Sequence, residues 1–145
     1  MRNIDLFNLH VAEVLGSCYE SFPVRVDIKY EDLGKNVHDR YTSGFDEELF
    51  YNAQEYEELA AATVNWLTDA GYLWIGKKVY GSVKNVTLTP KSLELLNATP
   101  QALEMTDSMG TILADGSKTL GRETALSVIR SVLSEGAKLA FSGNI

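Results

Sequence analysis

Three glutamates and three lysines, close together in the chain, are the residues whose types and spacing could do chemistry. Glu55, Glu57 and Glu58 lie in the stretch 46–76, which holds seven acidic residues and no basic one. Lys77, Lys78 and Lys84 follow directly, in a stretch 77–100 with four lysines and a single glutamate. Carboxylates at that density repel a polyanion and attract a basic protein surface. The lysines have the opposite preference and form the one basic cluster that could draw phosphates. Trp74 and Tyr80 stand among them, and such aromatics are typical anchors of protein interfaces. A plainer role for the lysines is to keep a hairpin edge soluble.

The usual catalytic constellations are missing. His10 and His38 are far apart, one in a helical pattern and one in a polar stretch, and a lone histidine is usually structural or simply exposed. Cys18 falls on an apolar helix face, where thiols are generally inert. As the only cysteine it allows no internal disulfide framework. Asp27, Glu31, Asp32 and Asp39 do not have the spacing of a calcium loop. No phosphate-cradling glycine loop, zinc spacing or nucleophile elbow occurs. The expectation is therefore a non-enzymatic protein with no cofactor and no metal.

The elements that must position these residues are legible around them. Asn52 and Glu55 read as a capping box that starts a helix. Tyr56, Leu59, Ala60, Thr63, Trp66, Leu67 and Ala70 then recur at helical spacing as a core face, and Gly71 suits the helix end. The runs Tyr72 to Ile75 and Val83 to Leu88 read as a hairpin. Thr89 and Pro90 open a short helix whose buried side is Leu93 and Leu96.

The segments "TVNWLTDAGYLWIG" and "VTLTPKSLELL" resemble the second half of a winged helix-turn-helix domain, over roughly 52–97. In that fold a helix ends in glycine and an apolar pair, a two-stranded wing follows, and a helix opens at a Thr-Pro step. The resemblance implies an α+β fold and, by analogy, DNA binding through the helix before the wing. That helix here presents Glu55, Glu57 and Glu58, with Asn65 as its main polar group. Its acidity disfavours DNA and leaves Lys77, Lys78 and Lys84 of the wing as the possible nucleic-acid contacts.

Before this unit, residues 3–21 read as a helix with Ile4, Phe7, Val11, Val14, Leu15 and Cys18 on one face. Val24, Val26, Ile28 and Tyr30 alternate with charged residues as a half-buried strand, and the resemblance implies that this strand pairs with the wing. Glu31 to Gly34 could make a helical turn, and 35–44 reads as an exposed loop. Phe45 to Tyr51 reads either as a separate short helix or as the start of the next one.

After it, Ala98 to Gln101 reads as a hinge, and 103–118 is weakly helical, interrupted by Gly110 and Gly116. Residues 119–141 form a stronger helix. Its apolar stripe includes Leu126, Ile129 and Leu133, and must be covered either by the same chain or by a second copy. The division implied is a winged-helix-like domain at 1–98 and a C-terminal helical extension at 99–145. No apolar run is long enough to span a bilayer and no signal-peptide pattern is present, so a cytoplasmic location is expected. The functional expectation is an interaction or regulatory module that contacts a protein partner, including itself. Glu55, Glu57, Glu58, Trp74, Tyr80, Leu126, Ile129 and Leu133 are the candidate interface residues. The alternative is a DNA-binding regulator that uses the basic wing.

Overall fold

The structure is a computed structural model, and residues 3–42, 52–99, 107–114 and 121–142 are described. In chain order they form α1 (Asn3–Ser21), β1 (Val26–Lys29), α2 (Tyr30–Val37), a π-helical turn (His38–Thr42) and α3 (Ala53–Asp69). β2 (Leu73–Trp74), β3 (Lys77–Val79), β4 (Ser82–Leu88), α4 (Pro90–Asn97), α5 (Met109–Ala114) and α6 (Arg122–Ser142) follow. The fold is α+β, with six helices and a four-stranded antiparallel sheet among the described residues. The question of a separate helix at 45–51 falls outside them, as do Pro100, Gln101, Met105 and Gly116.

β4 is the centre of the sheet and bonds to every other strand. β2 and β3 pair with it in one continuous register, Leu73 opposite Leu88 and Lys77 opposite Lys84. They are thus two halves of one hairpin arm. Tyr80 and Gly81 make the turn, with Gly81 at φ +76°, a conformation that suits glycine. β1 pairs with β4 on its other side. That register shifts by one residue between Val26 and Ile28. The extra residue is accommodated at Asn85, whose φ is +57°. Arg25 donates to the Asn85 carbonyl at 3.1 Å, and the Asn85 amide donates to Asp27 Oδ1 at 3.1 Å. The side chains of Asp27 in β1 and of Arg25 just before it therefore hold the bulge on the neighbouring strand.

α1 is the hub of the core. It packs against α2, α3, β4, α5 and α6, and it is buried on nearly every side from Asn8 to Gly16. The one-sided apolar face expected of it is half the truth, since Leu9 and Ala12 on other sides are fully buried as well. Ile4 is exposed instead. The second cover is α5 and α6. Gly16 lets the backbone of α5 approach, because a Cβ there would stand 2.7 Å from the Leu113 carbonyl oxygen. Gly110 is therefore not an interruption: it lies inside α5, against the ring of Tyr19.

Two further expectations need correction. Residues 35–42 are helical rather than an exposed loop, and Val37, Tyr41 and Thr42 are buried. Leu33, Val37 and Tyr41 recur every four residues, and this apolar spacing outweighs the loop-forming composition of Asn36 and Asp39. The strand is also shorter than the alternation, because Val24 is exposed and Tyr30 already opens α2.

The C-terminal stripe is covered by its own chain. Leu126 and Ile129 are 3% and 0% exposed, and α6 lies against α1, α4 and α5. Leu133 is half-buried at the margin of the same core. An interface between copies through Leu126 and Ile129 would require α6 to leave this packing. The helices after residue 98 thus share one core with the helices before it.

Candidate functional site

α3 starts where the sequence places it. The Asn52 side chain accepts the Glu55 amide at 3.1 Å, which satisfies one of the free donors of the first turn. Ala60, Thr63, Val64 and Leu67 form its buried face. Trp66 does not belong to that face: it is 46% exposed. It contacts Phe7 edge-on at 5.3 Å and stacks on Tyr72 at 6.0 Å between ring centroids. The Lys91 ammonium lies 4.1 Å from the Tyr72 ring centroid and donates to the Ala70 carbonyl at 2.7 Å, which closes the C-terminal end of the helix.

The opposite side of α3 is acidic and solvated. Glu55 and Glu58 are exposed and Glu57 is half-buried. Gln54 donates to Glu58 at 3.3 Å. The fold brings the hairpin tip to this side. Tyr80 is fully exposed there, and with Tyr30, Gln54, Glu57 and Glu58 it walls an open hollow of about 330 Å³. Two carboxylates and two phenol rings around one depression suit a cationic group, which gains from both. The acidic helix and Tyr80, separate features in the sequence, are thus one surface. Trp74 is exposed on β2, further along the same hairpin arm.

The lysines are unequal. Lys77 and Lys78 are exposed on β3. Lys84 lies directly across from Lys77, an unfavourable like-charge pair that Asp27 relieves at 3.5 Å from the Lys84 ammonium. Among the described residues the cluster therefore offers two charges without an ion pair rather than three.

A polar cluster that sequence reasoning missed lies where α1 meets the π-helical turn. Arg40 donates to Glu13 at 2.5 Å, and Glu13 is almost fully buried. Burial pushes the Glu13 carboxyl above the usual range, and Arg40 opposes that shift. Burial, aided by the Glu13 charge, pushes the neighbouring Tyr41 hydroxyl up. His10 is completely buried, with its Nδ1 2.8 Å from the Leu6 carbonyl and its ring 5.9 Å from that of Tyr56. Desolvation lowers its pKa. The signal available in the sequence was His10 and Glu13 one helical turn apart among apolar residues on every side.

Glu13 also reaches a cleft of about 410 Å³ between α1, β1 and α2, where Asp27 and Asp32 face Lys29 and Lys84. Its charges are nearly balanced and select no ligand of one sign. Cys18 is buried in the core, and burial pushes its thiol up to about 12. Among the described residues no three His, Cys, Asp or Glu side chains are placed to share a metal ion. No described helix is long and apolar enough to cross a membrane.

The fold and these surfaces define a small α+β protein. No protein-family model, curated protein or solved structure matches the chain.

Proposed function

We propose that this chain is a winged-helix-like interaction module without a catalytic role, which acts by protein contact through the acidic side of α3 and the hairpin tip. The observation that carries the reading is the common hollow of Glu57, Glu58, Tyr30 and Tyr80. It unites the charge that attracts a basic surface with exposed aromatic area, the pairing on which interface anchors depend. The winged-helix-like part of the reading is supported by element order. α3, the hairpin arms and α4 follow one another as the resemblance implies, and β1 lies beside the hairpin.

The alternative, a DNA-binding regulator, is favoured by Lys77 and Lys78, which project from the wing into solvent. Against it stand the carboxylates of α3 and the partial neutralisation of Lys84 by Asp27.

One pair of measurements separates the two. Cross-linking with mass spectrometry on the tagged chain in its own cells should recover a protein partner that is lost in Glu55→Gln/Glu57→Gln/Glu58→Gln. Fluorescence anisotropy with random duplex DNA at low salt should show no binding that depends on the wing. Salt-sensitive DNA binding abolished by Lys77→Glu/Lys78→Glu/Lys84→Glu, with no partner lost in the glutamine variant, would replace this reading by the alternative.

A further inference from the structure

We infer that the face formed by α3 and the hairpin is a docking surface for a second copy of this chain, with each copy laying its hairpin lysines on the acidic hollow of the other. The inference rests on the reading of that face as a protein-contact surface, and it names the partner. Four observations support it.

The two signs of charge are adjacent but unspent. Lys77 and Lys78 make no ion pair among the described residues, and neither does Glu57. The molecule thus carries a cation on each face of β3, with Lys78 on the same face as Tyr80, and clustered carboxylates on α3 at the hairpin tip.

That arrangement is self-complementary. In a two-fold dimer the same patch is used twice, so a basic strand beside an acidic hollow meets its opposite on the mate in both halves of the contact. A patch of a single sign would repel its own copy.

The hollow has the right chemistry for a lysine. Its phenol rings offer faces on which an ammonium can rest, and its carboxylates neutralise the charge. Tyr80 stands fully out from the turn, next to the lysines that would enter the mate's hollow, and can bury its ring in the same contact.

The apolar stripe of α6, which the sequence offers for self-association, is occupied. Leu126 and Ile129 of α6 are buried in the chain's own core.

Contacts of this kind are individually weak and screened by salt, so the dimer must dissociate as ionic strength rises. Sedimentation velocity of the full chain tests this. At low salt and high protein concentration the wild type should sediment with the mass of two chains, and at high salt with the mass of one. Lys77→Glu/Lys78→Glu alone and Glu57→Lys/Glu58→Lys alone should each be monomeric at low salt. An equimolar mixture of the two variants should recover the two-chain mass, because the acidic wing of one then faces the basic helix of the other.

A wild type that stays monomeric at low salt up to its solubility limit overturns the inference and leaves the acidic face to a different, basic protein. A dimer indifferent to both reversals, or monomeric variants that fail to recover on mixing, also overturns it. The interaction reading itself falls only with the cross-linking result described above, so the two failures are distinguishable.

Discussion

The hydroxyl of Tyr72 occupies the place where a Cβ on Gly136 would stand. This single contact joins the start of the hairpin, just after α3, to the outer half of α6, 64 residues further along the chain. Tyr72 is buried, and its carbonyl accepts from the Ser92 hydroxyl at 2.6 Å, so the ring has little freedom to yield. An alanine at an exposed helix interior would stabilise by up to about 1 kcal/mol relative to glycine. At position 136 the opposite is expected. Gly136→Ala should destabilise by roughly 1–3 kcal/mol through overpacking. Tyr72→Phe in the same chain, lacking the hydroxyl, should recover part of the loss. Urea denaturation of the two single variants and the double variant checks this, and purely additive effects would contradict it.

Asn85 holds a left-handed backbone at φ +57° at the bulge of β4. Asn85→Val should cost about 1–2 kcal/mol, because a β-branched residue resists that conformation. Asn85→Gly, which tolerates it, should change stability little. Thermal melts of the two variants should therefore separate clearly, with the valine variant lower.

His10 makes stability depend on pH in a defined direction. Its folded-state pKa is lowered by burial, so the unfolded chain takes up the proton first as pH falls. The neutral ring's contribution is fully present above the unfolded value of about 6.5 and is lost as pH drops below it, by up to about 1.4 kcal/mol per unit. His10→Phe keeps an aromatic ring beside Tyr56 and removes the titration. Chemical denaturation at pH 7.5 and pH 5.5 should show a smaller loss in the variant than in the wild type. An equal loss in both would show that His10 does not carry the dependence.

Cys18 should be inert while the protein is folded. Its thiol is buried in the core and pushed up to about 12, so almost no thiolate exists at neutral pH to attack a disulfide reagent. Reaction with a chromogenic disulfide should release no signal from the native chain and one equivalent after denaturation. Rapid labelling of the native chain would mean that α1 opens readily where α5 and α6 cover it.

Local signals in the sequence were enough for most of α3, the hairpin and α4. Asn52 caps where expected, and the Thr89 hydroxyl accepts the Ser92 amide at 3.3 Å behind Pro90. β4 ends at Leu88 as expected, but its alternation does not hold, because Thr87 is buried together with Val86 and Leu88. The two caps depend on interactions within a few residues, and residue spacing encodes them directly. The stretch 35–42 was misread for a related reason. Its composition favours a loop, but burial of Val37 and Tyr41 against α1 and α3 decides the conformation, and that gain exists only once the helices meet.

Composition and spacing by themselves determined that this chain carries an acidic helix, a lysine-bearing hairpin and an apolar C-terminal stripe. Only the tertiary structure decided what those features face. It buried α1 on nearly every side from Asn8 to Gly16, enclosing His10 and the Glu13 partner of Arg40. It spent the stripe of α6 on the chain's own core and turned Trp66 outward. It also brought Tyr80 beside Glu57 and Glu58, residues more than twenty positions away. Periodicity states which side of an element is apolar. Which neighbour covers that side is settled by long-range packing, in which each element competes for the others' surfaces.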